Sequence, residues 1–270
     1  MAEPSGDAAG AHAVCDLSDA DRTADVVRAA HPEAVIHTQA FSDVDGCERE
    51  PQAAEALNIQ TIEHLCRGLK SSSAWLVALS TDYVFDGQKG TPYDEADEPR
   101  PISVYGRTKL EGERIVLRYP RGLIVRPSTL FGPDRMNFCE LIVQRFTRHE
   151  PVEAFVDQTI SPTYTEDLAE GIARLLEAVC RRAQEPWPRI YHITNAGQAS
   201  RVEFAQAVAR ALRVSDEPIR AVRMADQHRP APRPPYSALR SRHLTAVIGS
   251  SLRPWQDALH AYLVKQHWLN

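Results

Sequence analysis

The stretch that decides the fold is Ser80–Glu113, which reads S-T-D-Y-V-F-D-G at 80–87 and V-Y-G-R-T-K-L-E-G-E at 104–113. The apolar run W-L-V-A-L (75–79) leads into it and is typical of a short buried strand. Pro101 suits the first turn of a helix, because its missing N–H would be unpaired there in any case. The stretch therefore predicts a strand, a polar loop and a helix in succession.

Three polar side chains of this stretch are predicted to meet. Thr81 falls where the strand ends, and Tyr105 and Lys109 share a face of the helix because they are four residues apart. A phenol titrates near pH ~10, and a neighbouring ammonium lowers its pKa by favouring the phenolate. Such a phenol exchanges a proton with a substrate carbonyl while a hydroxyl hydrogen-bonds the same oxygen. The trio predicts acid–base chemistry on a carbonyl; the alternative for Y-x-x-x-K alone is a solvated helix face.

These motifs closely resemble the dTDP-4-dehydrorhamnose reductase branch of the extended short-chain dehydrogenase/reductases. They are equally similar to the regulatory beta subunit of methionine adenosyltransferase, a relative in the same branch. The resemblance continues through D-Q-T-I-S-P-T-Y-T-E-D-L-A (157–169) and R-P-P-Y-S-A-L (233–239), and it covers most of the chain from about Val14 onward. It implies that Thr81, Tyr105 and Lys109 are the catalytic residues.

The resemblance also implies binding residues. Arg233 joins the substrate set because an arginine fork suits a diphosphate, and Thr129 stands where rhamnose-pathway reductases often have a tryptophan beside the sugar. The alternative for Arg233 is a solvated basic loop, and the alternative for Ser42, Val44, Asp82 and Tyr83 is ordinary loop packing. The cofactor-binding residues implied are Ala40, Phe41, Ser80, Tyr105, Lys109 and Arg126. The substrate-binding residues are Ser42, Val44, Asp82, Tyr83, Thr129, Thr163 and Arg233.

Composition narrows the class of protein. The net charge of −5, with 43% hydrophobic and 25% charged residues, is ordinary for a globular protein and predicts neither nucleic-acid nor membrane binding. The five cysteines are scattered without a C-x-x-C pair, which predicts reduced thiols and a cytoplasmic location. The ten histidines form no H-E-x-x-H, so no metal site is predicted.

Apolar runs alternate with helical patterns along the chain, which is typical of an α/β fold with a mostly parallel sheet flanked by helices. We predict a Rossmann-like domain at 12–150 with parts of 165–195, a small α+β substrate lobe at 151–164 and 196–270, and disorder at 1–11. The predicted strands are 13–15, 34–37, 75–79, 122–126, 152–156, 189–193 and 219–222. The predicted helices, besides the one that carries Tyr105, are 19–30, 51–69, 137–147, 165–181, 202–212 and 254–268.

A Gly-rich turn that meets the cofactor pyrophosphate is expected in a dinucleotide fold, and the sequence has none. Only Gly6 and Gly10 precede Gly46, with no apolar strand before them. The resemblance begins at the family's third strand, so the Rossmann-like domain is predicted to be N-terminally truncated. Thr38 and Gln39 are also bulkier than the alanines of the family. We therefore expect NADP or NAD to bind this chain weakly or not at all.

Three explanations remain open for that difference: a sequence that has lost its first segment, a divergent protein that binds the cofactor differently, or a partner that completes the sheet. Two functions follow. The first is NAD(P)H-dependent reduction of a nucleotide-sugar ketone. The second is a non-catalytic or regulatory protein that binds a sugar nucleotide or another protein, as the beta subunit does. A homodimer or a regulatory partner protein is compatible with either.

Overall fold

The computed structural model describes residues 13–182, 186–216 and 218–269. The predicted disorder at 1–11 lies outside the described residues. The helices are α1 (Ala20–Ala30), α2 (Val44–Arg49), α3 (Pro51–Glu55), α4 (Thr61–Gly68), α5 (Val104–Arg118), α6 (Phe138–Thr147), α7 (Thr165–Arg181), α8 (Arg201–Leu212), α9 (Leu244–Ile248) and α10 (Trp255–Lys265). A π-helical segment, Ala56–Gln60, joins α3 to α4, and 3₁₀ turns lie at Asp82–Val84 and Met224–Asp226.

The strands are β1 (Ala34–His37), β2 (Trp75–Leu79), β3 (Gly122–Arg126), β4 (Leu130–Phe131), β5 (Val152–Phe155), β6 (Thr159–Ile160), β7 (Thr163–Tyr164), β8 (Ile190–His192), β9 (Ala199–Ser200) and β10 (Ile219–Val222). Four of them form a parallel sheet in the order β1-β2-β3-β8. This sheet confirms the predicted α/β class.

The central sheet is covered on both faces, as parallel sheets generally are. On one face, Val77 and Leu123 pack against Leu175 of α7. On the other face, Leu76 and Ile124 join the cluster that includes residues of α1, α4 and α5. Alternate residues of a strand point to opposite faces, so a continuous apolar run such as that of β2 serves both helical layers.

A second, smaller lobe surrounds an aromatic cluster. Its short strands pair as β5 with β10, β4 with β7 and β6 with β9. Helices α6, α8 and α10 pack on the cluster, whose largest members are Phe131, Tyr164, Phe204, Trp255 and Tyr262. Helix α6, which the domain prediction placed in the Rossmann-like part, therefore packs with the lobe.

Several element boundaries differ from the predictions. Ala13–Cys15 is not a strand, and Val14 is 95% exposed among the described residues. Helix α5 begins at Val104 rather than near Pro101, because the Ser103 side chain accepts a hydrogen bond from the Gly106 N–H and caps the helix. The predicted helix 51–69 contains the π-helical segment. The predicted capping box at Ser200 is confirmed.

Candidate active site

A cavity of about 510 Å³ opens beyond the carboxyl ends of β1, β2 and β3. In open α/β sheets, ligands bind at this edge. Ten of the predicted site residues line it: Ala40, Ser42, Val44, Ser80, Thr81, Asp82, Tyr83, Tyr105, Lys109 and Thr129. The remaining four, Phe41, Arg126, Thr163 and Arg233, do not line it. The predicted trio therefore meets in one cavity.

Thr81 is held in place directly after β2. The ladder continues past the strand, since the Ser80 N–H donates to the Val125 carbonyl at 2.7 Å and the Asp82 N–H to the Pro127 carbonyl at 3.0 Å. The Thr81 hydroxyl caps the following 3₁₀ turn by accepting from the Tyr83 N–H at 3.1 Å. The same hydroxyl donates to Asp82 Oδ1 at 3.1 Å. Thr81 is thus fixed by backbone on both sides.

Tyr105 lies in the first turn of α5, against that 3₁₀ turn. Its ring meets the Tyr83 ring edge to face, with centroids 6.0 Å apart. Burial raises the pKa of the Tyr105 phenol, whereas a hydrogen bond with the Thr81 hydroxyl lowers it. The sequence predicted that Lys109 lowers this pKa; in the structure burial dominates and the pKa shift is upward. The phenol is therefore protonated at neutral pH.

Lys109 is 4% exposed, and its ammonium donates to the Leu79 carbonyl at 2.7 Å. Burial lowers the pKa of Lys109 to about 8, against the opposing attraction of Glu113. Burial and, to a smaller extent, the positive charge of Lys109 lower the pKa of His37 to about 4. At neutral pH the cavity wall therefore holds a charged lysine, while His37, which does not line the cavity, is neutral.

Two residues predicted to bind the cofactor bond a carboxylate beneath the cavity. The Ser80 hydroxyl donates to Glu113 Oε1 at 2.5 Å. The Arg126 guanidinium donates to both oxygens of Glu113, at 2.8 and 2.6 Å, and Arg126 is 1% exposed. Ser80 still lines the cavity, but Arg126 is too deeply buried to do so. A cofactor contact for Arg126 finds no support in this geometry.

The loop after β1 is fixed by a residue that the sequence analysis missed. Asn58, in the π-helical segment and fully buried, accepts from the Phe41 N–H at 2.8 Å and donates to the Phe41 carbonyl at 3.2 Å. It also donates to the Thr108 hydroxyl at 3.0 Å, one residue before Lys109. π-Helical segments often occur at functional sites, but a lone asparagine in an apolar pattern gave no signal of this one.

Asp82 and Thr129 form the polar side of the cavity. The Asp82 carboxylate accepts from the Ser128 hydroxyl at 2.7 Å, and burial raises the pKa of Asp82. Thr129 has a φ of 30°, an unfavourable backbone conformation for a β-branched residue. Its carbonyl accepts from the Thr163 N–H at 3.0 Å, so Thr163 supports the cavity wall from beneath.

A second cavity of about 570 Å³ adjoins the first and is the more basic of the two. Both are lined by Tyr83 and Arg201. Arg201, also missed from the sequence, donates from Nε to Gln158 at 3.1 Å, and its guanidinium lies 5.0 Å from the centre of the Phe138 ring. Arg229 lies over the Phe155 ring at 4.9 Å. These two guanidiniums, each stacked on an aromatic ring, suit an anionic group.

Arg233 lines the second cavity, not the first. Its guanidinium donates to Asp45 at 2.5 and 2.7 Å, and the Ala231 N–H donates to the same carboxylate at 3.0 Å. The hydrogen bond from Arg233 is the largest cause that lowers the pKa of Asp45, to about 2. These hydrogen bonds hold the proline-rich loop at 228–235 against α2. Arg233 therefore lines the second cavity as a guanidinium that is already paired with the Asp45 carboxylate.

The sequence and the fold of this chain are similar to those of known proteins. The family model described as the RmlD substrate binding domain matches residues 3–267. A dTDP-4-dehydrorhamnose reductase of Mycobacterium tuberculosis is 37% identical over 250 residues, which are 90% of this chain and 80% of that protein. A solved dTDP-4-dehydrorhamnose reductase of Clostridium acetobutylicum superposes with a TM-score of 0.84 at 30% identity, over 93% of this chain and 87% of that one.

A second solved structure is that of dTDP-4-dehydrorhamnose reductase from Bacillus anthracis in complex with NADP. It has a TM-score of 0.84 at 28% identity and covers 93% of this chain and 86% of that one. Within the described part of the chain, no helix is long and apolar enough to cross a bilayer. The same residues contain no group of three histidine, cysteine or acidic side chains that could hold a metal ion.

Proposed function

Because this chain belongs to the RmlD substrate-binding-domain family, and its relatives are named dTDP-4-dehydrorhamnose reductases, we propose that it reduces the ketone of a dTDP-4-keto sugar with NADPH. The observation that carries the proposal is the convergence of Thr81, Tyr105 and Lys109 on one cavity at the carboxyl edge of the parallel sheet. The oxidoreductase class expected from the sequence agrees with the names of these relatives.

Tyr105 acts as the general acid. The raised pKa of its buried phenol keeps it protonated at neutral pH, as a proton donor requires. The proton passes to the carbonyl oxygen as that oxygen gains charge, and the Thr81 hydroxyl turns from Asp82 Oδ1 to donate to the same oxygen. The ammonium of Lys109 stabilises the phenolate that remains until solvent returns the proton. A nicotinamide cofactor, when bound, would supply the hydride that, with the proton from Tyr105, converts the ketone to the alcohol.

The residues of the first cavity suit one half of that cofactor. Tyr105 and Lys109 offer hydrogen-bonding groups for a ribose, and Ala40 leaves room beside them. Within the described residues, no Gly-rich turn between a strand and a helix supplies backbone amides for the pyrophosphate. The site as described therefore fits the nicotinamide–ribose end.

The second cavity is proposed to hold the nucleotide part of the substrate. Its shared wall with the first cavity, at Tyr83 and Arg201, lets one molecule extend from the trio into the basic region. Arg201 and Arg229 face it with guanidiniums stacked on aromatic rings, an arrangement that suits a diphosphate. Asp82, Ser42 and Thr129 would meet the sugar.

Turnover of defined nucleotide sugars tests the proposal. The purified chain is given saturating NADPH and a dTDP-4-keto sugar, with the UDP-linked sugar as the control, and loss of NADPH absorbance is followed. We expect turnover that is faster with the dTDP-linked ketone. Tight binding of the dTDP sugar without turnover at any NADPH concentration would contradict the proposal and favour the non-catalytic alternative.

A further inference from the structure

A charged cluster lies buried beneath the proposed catalytic cavity. Glu113 follows Lys109 by four residues on α5, so the two side chains share a face of the helix. Glu113 is 3% exposed and Lys109 is 4% exposed. Glu113 does not line the cavity, whereas Lys109 does. The carboxylate thus lies one helical turn after the ammonium on the same face of α5, and it does not reach the cavity.

The Glu113 carboxylate is fixed by donors from two strands. Arg126 on β3 binds it with two parallel hydrogen bonds of 2.8 and 2.6 Å, and Ser80 at the end of β2 donates at 2.5 Å. A fork of this kind fixes orientation as well as charge. A solvent-facing carboxylate on the same helix, Glu111, has a single contact with Arg114. Of the two carboxylates on α5, only Glu113 accepts hydrogen bonds from a residue of the central sheet.

Lys109 depends on a buried anion because its direct partner is neutral. Its ammonium donates to the Leu79 carbonyl, which accepts a hydrogen bond but carries no charge. Burial favours the neutral amine, and Glu113 is the group that opposes it. Among the described residues, other titratable groups near Lys109 include His37 on β1, Tyr105 on α5 and Arg126 on β3, which binds Glu113. His37 and Tyr105 are neutral at pH 7, and Arg126 is cationic.

We propose that Glu113 is a positioning residue for Lys109: held by Arg126 and Ser80, its carboxylate keeps the ammonium charged in the wall of the cavity. The importance of this for catalysis rests on the function proposed above, because a charged Lys109 is what stabilises the Tyr105 phenolate. The charge relation itself holds whatever the substrate is.

Direct titration of Lys109 tests the proposal without any assay of activity. The chain has four lysines, Lys70, Lys89, Lys109 and Lys265, so lysine labelled with ¹³C at Cε gives a short spectrum by NMR. Lys109→Met identifies the signal. In Glu113→Gln we expect the pKa of Lys109 to fall by about one unit or more, since an opposite charge nearby is lost. Glu111→Gln is the matched control and should leave it unchanged.

Glu113→Gln leaves Arg126 buried without a counter-charge, which can prevent folding. The double variant Glu113→Gln/Arg126→Met removes both charges, so it provides the test if the single variant does not fold. Its Lys109 pKa should also lie below that of the wild type, since burial is then unopposed. An unchanged Lys109 pKa in either folded variant would overturn the proposal.

A kinetic measurement separates this proposal from the function. If the chain is a reductase, the alkaline limb of its kcat/KM profile should move to lower pH in Glu113→Gln together with the Lys109 pKa, and stay in place in Glu111→Gln. If no variant and no wild-type sample turns over a ketone while the NMR shift is found, the proposed function fails and the role of Glu113 stands. A shifted Lys109 pKa with an unmoved alkaline limb would contradict the catalytic part.

Discussion

The ammonium of Lys109 and the phenol of Tyr105 lie in the wall of one cavity, and burial favours the neutral form of each. The pKa of Lys109 is lowered to about 8 and that of Tyr105 is raised. The pattern Y-x-x-x-K identified both residues, but spacing carries no information on how far each group is removed from water. The direction of the Tyr105 pKa shift was therefore predictable only with the packing known.

The free energy of unfolding should depend on pH because Lys109 is buried and its pKa is lowered. Its pKa in the folded state, about 8, is below the usual value of 10.5, so the unfolded state binds more protons between these two pH values. The contribution of Lys109 to stability should then rise with pH across this window. Relative to Lys109→Met, the wild type should gain about 2–3 kcal/mol between pH 7 and pH 10.

Urea unfolding of both proteins at the two pH values measures that difference, and groups that titrate equally in both proteins cancel. Lys265→Met, at an exposed position, is the control and should show no such gain. A wild-type advantage that does not change with pH would show that Lys109 titrates normally.

Arg201 and Asn58 show which residues a single sequence does not reveal. Each acts through partners far along the chain: Arg201 bonds Gln158, and Asn58 bonds Phe41 and Thr108. Neither belongs to a motif with a chemical meaning of its own. Thr81, Tyr105 and Lys109 were predictable because strand end and helix spacing already bring them together.

At the scale of elements, the site depends on the contact between α5 and the 3₁₀ turn that follows β2. Gly106, next to Tyr105, permits this contact, since a Cβ at that position would collide with the Tyr83 carbonyl oxygen. The hydrogen bond from the Gly106 N–H to Ser103 also begins the helix. One glycine therefore sets the distance between the element that carries Tyr105 and the one that carries Thr81.

Gly106→Ala should push α5 away from the turn. Overpacking of this kind costs about 1–3 kcal/mol, and the displacement of Tyr105 should lower kcat more than it raises KM for the sugar. Thermal unfolding and steady-state kinetics on the same sample measure both effects. Arg107→Ala, at the exposed neighbouring position, is the control. A Gly106→Ala protein with unchanged Tm and kcat would refute the close contact.

Elements with their own apolar pattern were predictable, and elements defined by distant partners were not. The runs at 75–79 and 122–126 gave β2 and β3 with correct bounds. The two-residue strands β4, β6, β7 and β9 have no period of their own and exist because residues far along the chain pair with them. The start of α5 was misplaced because the cap at Ser103 outweighed the preference of Pro101.

At the scale of the whole molecule, the two cavities lie between the central sheet and the aromatic lobe. Loop 228–235 contributes Arg229 and Arg233 to the second cavity. The Asp45–Arg233 ion pair holds this loop against α2. β1 forms one edge of the described sheet, and Ile36 at its centre is 48% exposed. The β1 edge of the central sheet is thus partly exposed in the described structure.

Cofactor affinity is the property of the whole molecule that the sequence predicts most sharply. The sequence contains no Gly-rich turn of the kind that places backbone amides and a helix N-terminus against a pyrophosphate, so this chain should bind NADPH and NADH more weakly than micromolar. Calorimetric titration with each dinucleotide measures this, and dTDP serves as the positive control for a folded second cavity. Micromolar affinity for either dinucleotide would refute the expectation.

The kcat of Tyr105→Phe shows whether the Tyr105 phenol is the general acid. The substitution removes the transferable proton and keeps the ring that packs on Tyr83. With a dTDP-4-keto sugar and saturating NADPH, we predict that kcat falls by about 10²–10⁴, the usual contribution of a general acid, while sugar affinity changes little. Tyr119→Phe, which loses a phenol bonded to the Ala74 carbonyl far from the cavity, should keep wild-type kcat. A near-wild-type kcat in Tyr105→Phe would contradict the account.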